Sequence, residues 1–150
     1  MNLTAREEIA APADRVFAAM TDYPRLARLA EGRGVRLTRL DSLPAPDVGM
    51  CWTALAPIRG QLREVRSEVT AFSPGRGYAV ASTIGGIEGL TEVEMTELGE
   101  ARTRLRIVVD LRPVTLSGRL LIQPLRLGKG ALQERFRIRV AGLARSIEAG

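Results

Sequence analysis

Ser117-Gly-Arg-Leu-Leu-Ile-Gln-Pro-Leu-Arg-Leu-Gly-Lys-Gly-Ala-Leu-Gln-Glu-Arg-Phe-Arg-Ile-Arg-Val-Ala-Gly-Leu-Ala-Arg-Ser-Ile-Glu148 follows an uninterrupted series of alternating segments and has the pattern of a long amphipathic helix. Within it Leu121, Leu125, Leu132, Phe136, Val140, Leu143 and Ile147 recur at spacings of mostly three, four and seven, which predicts a long helix with one apolar face. Arg119, Arg126, Arg135, Arg137, Arg139 and Arg145 are spread around the remainder. Pro124 marks the start of the regular helix or a kink in it. Gly128 and Gly130 each cost roughly 1 kcal/mol against alanine, and two readings of them stand. Either the helix starts later, around Gly130, or side chains are omitted where a ligand or the sheet comes close.

Upstream of that helix the pattern has period two for about 80 residues. It falls into segments near Val35–Asp41, Met50–Pro57, Gln61–Phe72, Tyr78–Ile84, Ile87–Met95 and Arg102–Arg112, separated by Pro- and Gly-rich turns. Connectors this short make neighbouring strands antiparallel. Leu3, Ala5, Glu7 and Ile9 alternate as a further strand at the start. Pro12 then suits the first turn of a helix reaching Met20, and Thr21-Asp22 can cap a second helix carrying Leu26 and Leu29 on one face, which Gly32 and Gly34 end. The order is strand, two short helices, six strands, long helix. One terminal helix must then cover one large sheet, an arrangement that favours a closed grip around a cavity.

The last hairpin can be tested by register. With Thr96 opposite Arg102, Glu94 meets Arg104 and Glu92 meets Arg106, while Met95, Val93 and Thr91 meet Thr103, Leu105 and Ile107 on the other side. Four charges are thereby read as a solvated outer face. The same alternation sets Asp110 outside with Arg102, Arg104 and Arg106; turned inward among Val108, Val109 and Leu111, its pKa would rise.

At 150 residues the chain fits one domain, with about two-thirds of its unfolded surface buried on folding. The start, Met1 to Glu8, has two acids and no apolar h-region, so it does not read as a secretory signal. No apolar run approaches the ~20 residues of a membrane span, and the default expectation is a cytoplasmic protein. Cys51 is the only cysteine, which excludes an intramolecular disulfide and a Cys-rich metal site. Net charge is +5, yet every basic residue but Lys129 is arginine, and they are scattered, as genomic codon bias would leave them. With three Phe, two Tyr and one Trp for base stacking, a solvated basic surface is the better reading than nucleic-acid binding.

Ile9-Ala-Ala-Pro-Ala-Asp-Arg-Val-Phe17 followed by Thr21-Asp22-Tyr23-Pro24 resembles the opening of the START-like, or polyketide cyclase/dehydrase and lipid-transport (SRPBCC), superfamily. Val48-Gly49 before Met50-Cys51-Trp52 resembles the Val-Gly that opens the family's third strand. Thr103-Arg104-Leu105 resembles its Gly-Thr-Arg-Leu, although Ala101-Arg102 stands where glycine is common. The resemblance implies an α+β helix-grip (Bet v 1-like) fold: a seven-stranded antiparallel sheet wrapped around the C-terminal helix, with an apolar cavity between them. It implies a binding or carrier protein, a cyclase or an oxygenase domain.

The chain contains no histidine, which removes the commonest general acid–base group and the commonest metal ligand together. No Walker loop, Rossmann glycine pattern, EF-hand or Gly-x-Ser-x-Gly is present, so neither cofactor nor metal is expected. Cys51 beside Trp52 lacks a histidine to activate it and reads as a small core residue. Continued alternation brings Ser67, Ser82, Thr91 and Thr103 to the inner face, where a hydroxyl satisfies local backbone or orients a ligand. Arg63 either snorkels outward or meets a ligand carboxylate at the cavity mouth. Trp52 alternates with Met50 and Ala54, as a core anchor or a cavity wall.

The expected function is binding or carriage of a small, largely apolar molecule, with Trp52, Arg63, Ser67, Ser82, Thr91, Thr103, Leu125, Leu132 and Phe136 as candidate ligand-binding residues. The first alternative is a metal-free cyclase or dehydrase in which an inward carboxylate or Arg63 assists enolisation. A further alternative makes the basic terminal helix a docking surface for an anionic membrane or an acidic protein partner.

Overall fold

The computed structural model describes all 150 residues. Strand β1 (Asn2–Ile9) leads into helices α1 (Ala13–Met20) and α2 (Tyr23–Glu31). Strands β2 (Arg36–Arg39), β3 (Cys51–Ile58), β4 (Gln61–Ser73), β5 (Gly77–Ile84), β6 (Ile87–Gly99) and β7 (Arg102–Pro113) follow, then α3 (Leu116–Leu127) and α4 (Lys129–Ala149). All seven strands form one antiparallel sheet in the order β1-β7-β6-β5-β4-β3-β2. Each strand from β2 to β7 pairs with its chain neighbour, and α1–α2 carry the chain from the β1 edge to the β2 edge. No helix is long and apolar enough to cross a membrane.

Asp22 caps α2, its carboxylate accepting from Arg25 N–H at 3.2 Å. Strand β2 is shorter than the expected Val35–Asp41 because Asp41 ends it. The Asp41 carboxylate takes the backbone N–H of Leu43 (3.0 Å) and of Cys51 (2.9 Å) as well as the Arg39 guanidinium (2.8 Å), which turns the chain out of the ladder.

The β6–β7 register differs from the expected one by two residues. Thr96 faces Arg104, Glu94 faces Arg106 and Met95 faces Leu105, because a bulge between Glu97 and Gly99 lengthens the hairpin to the turn at Glu100-Ala101. An even shift preserves which side chains point inward. The outer-face ion pairs therefore change partners: Arg106 lies 3.9 Å from Glu94, while Arg102 and Arg104 reach Glu8 on β1. Asp110 is exposed, as its outer register requires.

The expected single terminal helix is two. Gly128 closes α3, its N–H donating to Pro124 O at 3.1 Å, and accepts from Leu132 N–H to begin α4. Gly130 faces open space, so no sheet approaches it, and of the two readings the later start holds for the second helix, which begins at Lys129. The close approach belongs instead to Gly118, where a Cβ would lie 2.0 Å from Gly86 O. Gly86, with φ of 87°, turns the β5–β6 hairpin so that the first turn of α3 can sit against it.

Helix α4 packs along β1. The Gln133 side chain bonds both backbone groups of Thr4 (3.1 and 2.6 Å), Glu148 accepts from Ala10 N–H (3.1 Å), and Arg15 donates to the terminal carbonyls of Ile147 and Glu148. Val140, Ala144 and Ile147 of α4 join Val16 and Met20 of α1 and the inner residues of β1, β6 and β7 in a core of twelve buried side chains. The other half of the sheet has a cluster of only three, Met50, Val69 and Val80.

Candidate functional site

A half-open cavity of about 390 Å³ occupies the space above that smaller cluster. Its floor follows from strand register. Trp52 lies opposite Ser67 and Ser67 opposite Ser82, giving one row across β3, β4 and β5. Val69, Val80 and Thr91 form the adjacent row across β4, β5 and β6. Its roof comes from the face of α2 bearing Tyr23, Leu26 and Ala27, spaced as one helical face, with Leu37 of β2 and Pro46 of the following loop. No charged side chain lines it.

Aromatic contacts fix the walls. Tyr23 tilts against Trp52 with ring centroids 5.9 Å apart, and the Arg39 guanidinium covers the Tyr23 ring at 5.0 Å. Arg39 is anchored by Asp41, and its hydrogen bonds hold the Asp41 carboxyl well below the usual carboxylate range. At the inner end Phe72 stacks on Tyr78 (6.4 Å) and meets Phe17 edge-on (5.6 Å). The Tyr78 hydroxyl donates to Met20 O at 2.6 Å, and burial pushes its pKa up to about 12. Burial also raises the Tyr23 pKa, against the opposing charge of Arg39.

The polar content is a set of hydroxyls. Ser67 Oγ and Ser82 Oγ are 2.8 Å apart, sharing one hydrogen bond. A pair of hydroxyls has two protons, and only one is used between them, so the other and the remaining lone pairs can meet a ligand. Thr91 and Thr21 add hydroxyls to the same surface.

Of the candidate residues, Trp52, Ser67, Ser82 and Thr91 come together on this wall. Thr103 lies elsewhere, fully buried, its hydroxyl donating to Ala11 O at 2.8 Å to tie down the turn after β1. Arg63 stays near the β3–β4 hairpin, its Nε 3.4 Å from Ile58 O. Leu125 on α3 and Leu132 and Phe136 on α4 are half-buried and outside the cavity lining; α4 is anchored to β1 at the opposite edge of the sheet, with Phe136 against the large core.

Tyr78 and Phe72 are wall residues that the sequence reading misses. Tyr78 shares the alternation that places Ser82, so its signal is present in β5. Phe72 is masked by a bulge: Val69 pairs with Val80 but Ala71 with Ala79, so Thr70 is extra and Phe72 turns inward opposite Tyr78. The α2 residues depend on where a helix docks, which periodicity alone does not state. A second groove, of about 620 Å³, lies between α2 and α4 and is rimmed by Arg33, Arg135, Arg139 and Arg145.

A sheet gripping a terminal helix beside an apolar cavity defines a helix-grip, Bet v 1-like protein. The chain belongs to the polyketide cyclase/dehydrase and lipid transport family, whose model matches residues 1–148. Among solved structures it is similar to a protein from Thermus thermophilus, with 18% identity, TM-score 0.72 and coverage of 99% of this chain and 98% of the other. It is similar to the Zhui aromatase/cyclase from Streptomyces sp. R1128, with 14% identity, TM-score 0.70 and coverage of 99% and 93%. Truncated norcoclaurine synthase from Thalictrum flavum gives 14% identity, TM-score 0.67 and coverage of 98% and 92%. At these identities the likeness is one of fold. No curated protein matches the sequence significantly.

Proposed function

We propose that this single domain binds and carries a small, largely apolar molecule of the lipid, polyketide or aromatic class in the cavity between α2 and the β3–β5 part of the sheet. The observation that carries the reading is the lining: apolar and aromatic side chains with a few hydroxyls and no charge. Its volume falls at the small end of the range of about 300–1,000 Å³ common for small-molecule sites. Affinity would come from apolar burial, at roughly 25 cal/mol per Å² removed from water, and orientation from Ser67, Ser82 and Thr91.

The family's description joins cyclases and dehydrases with lipid transport, and the similar structures include an aromatase/cyclase. Carriage is the better-supported member of that pair. General acid–base chemistry needs a group whose pKa lies near neutrality, whereas the titratable groups at this wall are tyrosines whose pKa values are raised. The test is a titration of Trp52 fluorescence with lipids and aromatic compounds. A saturable change that a filled-cavity variant, Val80→Phe, abolishes supports the reading; an emission spectrum indifferent to the whole panel counts against it. Turnover of a cyclisable polyketide analogue by the purified protein would move the assignment to the enzyme.

A further inference from the structure

Helix α3 is apolar on two opposite faces. Its inner face carries the buried Gly118 and Ile122, and the 2.0 Å that a Gly118 Cβ would leave to Gly86 O shows how closely that face is seated on the β5–β6 hairpin. Its outer face carries Leu116, Leu120 and Leu127, which are 75%, 66% and 92% exposed. At 3.6 residues per turn these three fall within about 40° of one another, so they make one stripe. The stripe cannot rotate inward without pulling Gly118 off the hairpin.

The charge beside the stripe has one sign. Arg119, Arg126 and Lys129 flank it, none of them takes part in an ion pair, and no acid occurs between Arg112 and Glu134. The same end of the sheet, where β4 begins and β7 ends, also presents the β3–β4 tip, with Leu62 69% exposed and Arg59 next to it in the turn. Exposed leucines flanked by unpaired cations thus occur twice at one end of the molecule.

We propose that this end docks on anionic lipid bilayers, with Leu116, Leu120 and Leu127 entering the headgroup–acyl boundary and Arg119, Arg126 and Lys129 pairing with headgroups. A bilayer offers apolar depth below and negative charge above, the order in which α3 presents its side chains. A second copy of the chain is a poorer occupant, because a two-fold contact would set the same cations against themselves. The proposal stands apart from the cavity: it holds whatever the cavity binds.

The test is co-sedimentation of the full chain with vesicles of phosphatidylcholine alone and of phosphatidylcholine with phosphatidylglycerol, at low and high salt. The expected result is pelleting with phosphatidylglycerol vesicles at low salt, weakened by high salt. The triple variant R119Q/R126Q/K129Q should lose roughly fivefold in partition coefficient per charge removed, and L116S/L120S/L127S should lose binding while keeping wild-type circular dichroism and melting temperature. No pelleting at low salt, or binding that the leucine variant retains, overturns the proposal. So does a wild-type dimer that the leucine variant dissolves, or capture of a polyglutamate peptide in the absence of any vesicle binding.

Discussion

The two halves of this sheet use the same strands for different ends. Under α1 and α4, the β1–β7–β6 half closes into a twelve-residue core in which Ile9, Val16 and Leu105 have no exposed surface. The β3–β4–β5 half has a buried hydrophobic cluster of only three side chains, beside an open cavity. The difference lies in what covers each half. Helix α4 is tied to β1 by side chain-to-backbone bonds along its length, whereas the opposite half is roofed by the nine residues of α2, a four-residue strand and a loop. Stability is concentrated where the long helix packs, and space for a ligand is left where it does not.

The largest break in that contrast should come from truncation. Leu105→Ala removes a side chain packed on all sides, and its cost should lie near the top of the range of about 2–5 kcal/mol for such changes. Met50→Ala should fall near the bottom of that range, because the cavity already deprives Met50 of contacts on one side. Urea denaturation of both variants measures the difference; equal costs would mean the two halves are equally packed.

A second, somewhat smaller effect concerns pH. Tyr78 has a folded-state pKa of about 12 against an unfolded value near 10, so burial favours the neutral phenol. The associated stability is fully present below about pH 10 and lost as pH rises towards 12, up to about 2–3 kcal/mol. Tyr78→Phe should flatten the alkaline limb of the stability profile, at a cost of about 1 kcal/mol from the lost bond to Met20 O. Thermal melts from pH 8 to about 12 compare the two proteins.

Filling the space sharpens the contrast further. Val80→Phe should change stability by less than about 1 kcal/mol because a void receives the ring, whereas Ala5→Phe in the solid half should cost about 1–3 kcal/mol or more by overpacking. Smallest of all should be Ser67→Ala with Ser82→Ala, which removes both members of the hydroxyl pair together. Replacing both partners leaves no orphaned group, so stability should move by under about 0.5 kcal/mol, while affinity for a ligand bearing a polar group should fall about fivefold. Paired melts and Trp52 titrations read both quantities.

The fold is legible in the sequence because alternation and turn chemistry are local properties: seven strands, two short helices and a terminal helix all follow from them. What escapes is set by insertion and docking. The extra Thr70 reverses the parity of β4 and so brings Phe72 inward, and the bulge at Glu97/Gly99 moves the last hairpin by two residues. The site is half legible for the same reason. Trp52, Ser67, Ser82 and Thr91 are named by strand alternation, but Tyr23 and Leu26 reach the cavity only through the placement of α2, and Phe136 leaves it through the anchoring of α4 to β1.

Native mass spectrometry of the protein as purified, beside a denatured control and Val80→Phe, decides whether the cavity under α2 holds a ligand. A reproducible added mass on the wild type that disappears on denaturation and is missing from Val80→Phe is the expected result, and the mass itself identifies the ligand class. A wild-type spectrum at the bare chain mass, together with Trp52 emission that no lipid or aromatic compound alters, would contradict the account.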